Sequence, residues 1–244
     1  MGFSWVRVGA IVRKELHDYR RNRFVVVTMS FLPLVFIVAP VIQLFAIKLS
    51  ITSARFDDRI GLALLYMLIL PAIIPSVLSA YSVVGEREQG TLEPVLTTPI
   101  HSEEFLVAKA LAALLPTLAV AYVIFGVFLG AIAAFAHPAV ASAIFERNHL
   151  LVQLIFTPLV AGWSIWTGIA ISTRMSDVRA AQQLTVLASL PPVGVVALMN
   201  FNVITPSLGL ALGLAGGLLL IDGMAWRVVV VLFDRERLVT GARG

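Results

Sequence analysis

The 244-residue chain is 59% hydrophobic and only 13% charged, with a mean hydropathy of +0.94. That balance excludes an ordinary soluble domain and points to an all-α, polytopic membrane protein. Its net charge of +4 and pI near 9.8 read as orientation signals on short loops, not as a nucleic-acid surface, and the absence of cysteine rules out disulfides, thiolate metal sites and cysteine nucleophiles.

Residues 1–23 are expected to form an N-terminal interfacial amphipathic helix. Trp5, Val8, Val12, Leu16 and Tyr19 recur at spacings of three or four, while Arg7, Arg13, Lys14 and Arg20 occupy other faces. Such a helix suits membrane lipids as its partner and should turn at Arg21-Asn22-Arg23. No short apolar core with a small-residue cleavage site opens the chain, so the first span is expected to insert as itself.

Six apolar runs follow: Phe24–Ile47, Ile60–Val84, Val107–Phe135, Leu150–Ser172, Leu184–Met199 and Ser207–Trp226. Each is about 20 residues, the length that crosses a hydrocarbon core as a helix. They make a six-helix transmembrane domain over residues 24–233, with a tail at 234–244. Pro33, Pro40, Pro71, Pro75, Pro116, Pro158, Pro191 and Pro192 lie inside the runs and favour kinks. The third run is overlong, so Glu103, Glu104 and Lys109 at its start are expected to project into water. Most Lys and Arg, including Arg7, Arg13, Lys14, Arg87, Lys109, Arg174, Arg179 and Arg227, fall on one side of this topology. Lys48, Arg55, Arg59 and Arg147 fall on the other. Both termini and the Gly85–Glu104 loop are then cytoplasmic, with 50–59 and 137–149 external.

That Gly85–Glu104 loop is dense in charge and needs water or a protein partner. Thr91 reads as an N-cap, Pro94 fits a first helical turn, and Leu92, Val95 and Leu96 would share one face of a short docking helix that ends at Pro99. Ser102 would cap the third span, with Glu103 and Glu104 near the positive end of its dipole. A solvated loop with two caps is the plain alternative. Arg174, Asp177 and Arg179, between the fourth and fifth spans, make either a second coupling contact or a solvated connector.

Asp222 is the ionisable residue deepest in a predicted span, expected about one turn from Trp226 and Arg227 near the interface. Gln43, Gln153, Thr157, Ser164, Thr167, Asn200 and Asn202 either line a polar path or hydrogen-bond between helices. His17, His101, His137 and His149 are scattered without metal-ligand spacing. No GxxxxGK[ST] run is present, so the chain lacks the P-loop of an ATP-hydrolysing subunit, and no catalytic, cofactor or metal site is expected within it.

The stretch Gly85-Glu86-Arg87-Glu88-Gln89-Gly90-Thr91-Leu92-Glu93, closing on Thr98-Pro99, resembles the cytoplasmic coupling segment of ABC type-two exporter permeases. Arg13-Lys14-Glu15-Leu16 and the six spans extend the resemblance over most of the chain. It implies the membrane-spanning subunit of an ATP-driven exporter, with a cytoplasmic coupling helix, in the plasma or inner membrane. By position, Glu86, Arg87, Glu88, Gly90, Thr91, Leu92 and Glu93 match the family's transmission segment. Val95 and Leu96 of the expected docking face complete the ATPase-coupling interface. The N-terminal helix, with Arg13, Lys14 and Glu15, is implied to engage the same partner. Pro94 departs from the helix former expected there. The implied partners are a separate nucleotide-binding ATPase subunit, which holds ATP and Mg, and a second permease subunit, identical or related. A lipid, a drug-like or other hydrophobic molecule, or a small ion would be the cargo. An ATP-independent scaffold or channel, or an intramembrane lipid-modifying enzyme, is the competing class.

Overall fold

The computed structural model describes residues 3–47, 53–90, 100–201 and 208–233, and the described residues are helical with no strand. Helix α1 (Trp5–Arg21) stops where the sequence turns: Asn22 leaves helical geometry at φ −82°, ψ 106°. The same residue starts α2 (Arg23–Phe45), its side-chain oxygen accepting hydrogen bonds from the Phe24 and Val25 amides at 3.0 and 3.3 Å. One asparagine therefore closes one helix and caps the next.

Helix α3 (Ser53–Ala80) begins seven residues before the expected Ile60, so Asp57 and Asp58 lie on its first turns and not in a loop. It continues through a π-helical turn, Tyr81–Gly85, and a closing α-turn, Glu86–Glu88. Helix α4 (Ser102–Phe135) starts after His101, not on a Ser102 cap; the His101 amide donates to Glu104 Oε2 at 3.2 Å. A short helix, α5 (Pro138–Ile144), occupies the 137–149 connection and seats Val140 and Ile144 in the core. Helix α6 (Arg147–Arg174) follows.

The fifth span is two helices, α7 (Val178–Ala188) and α8 (Leu190–Asn200), joined at Ser189. Pro191 and Pro192 cause the break, because neither has an amide to return to the preceding turn. The Ala188 carbonyl, which Pro192 would otherwise serve, accepts instead from the Trp163 indole at 2.8 Å. That is how a membrane bundle absorbs a proline pair. The last helix, α9 (Leu208–Leu232), continues past the expected end at Trp226. The 234–244 tail lies outside the described residues.

Among the described residues, six helical stretches are long and apolar enough to cross a bilayer: Arg23–Phe45, Arg55–Glu88, Ser102–Phe135, Arg147–Arg174, Val178–Met199 and Gly209–Val231. Helix α3 is the central one, packed against α2, α4, α6, α7 and α8. Its Ala63, Leu68, Leu70 and Leu78 are fully buried. Helices α2 and α9 lie outside it and present large apolar side chains such as Phe31, Ile42, Leu220 and Val231 outward. Apolar residues on both faces of a long helix are the pattern of a span that meets protein on one side and lipid on the other.

Candidate functional site

Charge is concentrated where α1 lies across the end of α3 and the start of α4. Lys14, Glu15, Lys109 and Glu86 close a four-membered ring of alternating sign. Lys14 Nζ is 3.1 Å from Glu15 Oε1 and 2.9 Å from Glu86 Oε1, and Lys109 Nζ is 2.9 Å from Glu15 Oε1 and 2.8 Å from Glu86 Oε1. Asp18 reaches Lys14 from one turn along α1, at 3.5 Å. Lys109 also stands 5.2 Å from the Phe105 ring centroid. The Lys109 and Glu15 side chains are 1% and 7% exposed, so here each charge depends on its neighbours for solvation. A cavity of about 400 Å³ opens beside the ring, lined among others by Asp18, Tyr19, Asn22, Tyr81 and Gln89.

The protonation of α1 follows from this packing. Burial alone would raise the Glu15 carboxyl, but Lys109 and Lys14 outweigh it and hold the group below its usual carboxylate value. Burial likewise works against the Lys14 ammonium, yet Glu15 and Glu86 carry it above its ordinary value. Tyr19, half-buried, is pushed well above the usual phenol value by desolvation and by the nearby Glu15, Glu86 and Asp18. Within the ring, Glu15 and Lys14 are thus each held toward the charged form.

A second clamp lies one helical stretch away. Arg7 embraces Glu104 with two donors, Nη2 to Oε1 at 2.6 Å and Nε to Oε2 at 2.8 Å, and the Ser4 amide donates to Oε1 at 2.6 Å. Such a forked pair fixes direction as well as distance. Glu104 is 0% and Lys109 2% exposed. The expectation that they project into water is corrected: α1 covers the overlong start of α4 and supplies the countercharges. Glu103 alone of the three is exposed.

The π-helical turn aims the end of α3. Ser172 of α6 uses its whole bonding capacity on it, donating to the Ala80 carbonyl at 2.9 Å and accepting from the Val83 and Val84 amides at 3.1 and 3.0 Å. Backbone groups that a π-turn would strand are thereby paired inside the bundle. Beyond it, Glu86 turns inward at 6% exposure while Arg87, Glu88, Gln89 and Gly90 are exposed. Gly90, with φ 65°, ends the turn in the left-handed region that suits glycine.

The two stretches singled out by sequence meet here. Arg87 Nη1 donates to the Met175 carbonyl at 3.2 Å, and Glu88 Oε1 accepts from the Val178 amide at 3.2 Å. Asp177 caps the same helix, accepting from the Ala180 amide at 2.7 Å. Arg174 and Arg179 are exposed on either side. On α1, Arg13 is exposed, whereas Glu15, grouped with it as an interfacial residue, is buried against the bundle. A carboxylate placed between two lysines gains more from that ring than from water or headgroups. Thr91, Leu92, Glu93, Val95 and Leu96 lie outside the described residues.

Arg7, Glu104, Lys109 and Ser172 belong to this site although no local sequence pattern assigns them to it. A lysine and a glutamate at the head of an otherwise apolar helix were the available signal, since buried charges seek partners.

No curated protein matches the chain. The family model described as ABC-2 family transporter protein matches residues 9–233, from within α1 to the end of α9. The chain is a multi-pass membrane protein and belongs to the ABC-2 transporter family, as a membrane permease of an ABC transporter.

Proposed function

We propose that this permease exports its cargo with energy from ATP hydrolysed on a separate nucleotide-binding subunit, which docks on the loop leaving Glu88 and returning at His101. The observation that carries the reading is the way both ends of that loop are tied to α1. Glu86 at its start and Lys109 beyond its end share the ring with Lys14 and Glu15, and Glu104 is held by Arg7. Arg87 and Glu88 add a tie to the α6–α7 connection. A push on the loop would be delivered to α1, α3, α4 and α6 together, which is what a coupling element needs. ATP binding must favour one arrangement of the spans by a differential interaction energy, and these ties give it something rigid to act on.

In this reading both termini and the loop are cytoplasmic, following the basic-residue split, and the membrane is the plasma or inner membrane. The active unit pairs two permease subunits with two ATPases; ATP and Mg reside on the ATPases. Glu86 and Glu15 hold the loop in place, while Arg87, Glu88, Gly90, Thr91, Leu92, Glu93, Val95 and Leu96 make the partner-facing segment. The exposed Arg174, Asp177 and Arg179 flank it, and Arg13 and the half-exposed Lys14 edge it from α1.

The test compares wild-type, Glu88→Ala and Leu92→Asp permeases co-expressed with their ATPase. Both variants should insert normally yet lose transport and stimulated ATP turnover, Leu92→Asp more severely, because it buries a charge in an apolar contact. Wild-type transport by both, at normal partner levels, would remove the loop from the mechanism.

A further inference from the structure

The cavity of about 400 Å³ beside the ring has no part in the contacts above. It lies among α1, the turn at Asn22, the start of α2 and the end of α3, and its volume suits a small ligand group. Its walls carry three cations, Lys14, Arg21 and Lys109, and three anions, Glu15, Asp18 and Glu86. The ring settles four of these among themselves at 2.8–3.1 Å. The other two are Asp18 and Arg21. Lys14 stands 3.5 Å from Asp18 but makes its shorter contacts to Glu15 and Glu86, and the Asp18 side chain is 52% exposed. Arg21 is exposed and has no ion-pair partner among the described residues.

Spaced i, i+3 on α1, these two residues are neighbours about 5–6 Å apart at Cβ, and both line the same space. A molecule that bridges them needs an anion and a cation on a short tether. Phosphoethanolamine has that form, a phosphate and a primary ammonium two carbons apart. The phosphate suits a guanidinium, which offers two donors side by side, and the ammonium, with its N–H donors, suits a carboxylate. The Tyr19 and Tyr81 hydroxyls and the Asn22 and Gln89 side chains add polar groups around the same space.

The surroundings favour a lipid as the carrier of that headgroup. Val25, buried in α2, forms part of the cavity wall, and around it α2 turns Phe24, Val27 and Phe31 outward. Phe24 meets the Tyr81 ring at 6.4 Å between centroids, so apolar surface begins at the cavity's edge. A headgroup seated between Asp18 and Arg21 leaves its acyl chains against that outward face.

We propose that this cavity binds the headgroup of phosphatidylethanolamine, with the phosphate on Arg21, the ammonium on Asp18 and the acyl chains along α2. The inference needs only a chain that spans the membrane, and it stands apart from the export mechanism proposed above.

The test titrates the purified full-length chain in detergent with phosphatidylethanolamine, phosphatidylcholine and phosphatidylglycerol of identical acyl chains, counting bound lipid by native mass spectrometry. Wild type should take up phosphatidylethanolamine at one saturable site per chain, more tightly than the other two. The choline ammonium has no N–H to donate, and the glycerol headgroup has no cation for Asp18. Asp18→Asn should weaken phosphatidylethanolamine about tenfold, the loss of a hydrogen bond between charged groups, and abolish the preference. Arg21→Gln should weaken all three lipids, since each carries the phosphate. Equal affinity of wild type for the three would overturn the proposal without recourse to any variant; so would an undiminished preference in a folded Asp18→Asn. Displacement of the lipid by water-soluble glycerophosphoethanolamine at equal concentration would overturn its assignment to a lipid.

Discussion

Lys109→Met removes the cation that two buried carboxylates share. Its two contacts, 2.9 Å to Glu15 and 2.8 Å to Glu86, are each about 6 kcal/mol of attraction at an effective dielectric of about 20. Desolvating the ammonium offsets several kcal/mol of this, and methionine packs the stem of the lysine. What remains is one lysine for two buried anions, so the net cost is about 3–5 kcal/mol, the range for breaking a buried ion pair from one side. Thermal unfolding in detergent should fall by about 6 °C at the least. Hydrogen exchange across α1 should rise, since Glu15 is then repelled from Glu86. Adding Glu15→Gln to Lys109→Met restores balance, one cation facing one anion, and should recover more than half of both losses. A single variant with wild-type melting and α1 protection would show that the ring does not hold α1 down. A double variant no better than the single would show that the loss came from packing and not from charge.

Ser172→Ala deletes three hydrogen bonds of 2.9–3.1 Å to the π-helical turn and should cost about 1–3 kcal/mol, read as a lower melting temperature and faster exchange at Val83 and Val84; unchanged exchange would mean the turn is self-supporting. Acid should loosen α1 through Glu15. Because its folded-state pKa is depressed by Lys109 and Lys14, its contribution is present above the ordinary carboxylate value of about 4.3 and is lost as pH falls through the lower folded value. Wild type should therefore lose α1 protection below about pH 4, and Glu15→Gln, measured over the same window, should lose less; parallel curves would assign the acid sensitivity elsewhere.

The number of spans was legible because a hydrocarbon core imposes a length on any helix that crosses it, and a run such as Phe24–Ile47 satisfies it without regard to its neighbours. The turn at Asn22 was legible for a similar reason: capping is local chemistry. Element ends were less so. Helix α3 begins at Ser53 and α9 continues to Leu232 because helices extend beyond the apolar run wherever a neighbour or solvent satisfies their polar residues. Pro191 and Pro192 announced a break, but the indole that makes it affordable comes from Trp163, 25 residues away. The ring was the least legible feature. Lys109 in isolation is a snorkelling or solvated lysine by every local rule; only the docking of α1 converts it into a buried countercharge.

That conversion has a mechanical consequence. A sliding apolar contact costs little per ångström, since one methyl replaces another, but a ring of four charges at 2.8–3.1 Å has no comparable neighbouring register. If α1 moved by one helical turn relative to α4, Glu86 would lose Lys14, and Lys109 would lose Glu15 with little water to compensate that buried pair. The clamp of Arg7 on Glu104 resists the same slip, because a forked guanidinium–carboxylate pair tolerates little rotation. Buried charge therefore contributes less to net stability here than to rigidity of register: α1, the closing turn of α3 and the start of α4 must shift as one body or not at all. A displacement imposed at Arg87–Gly90 is then carried through α1 to Asn22 and into α2, the span that presents Phe31 and Ile42 outward.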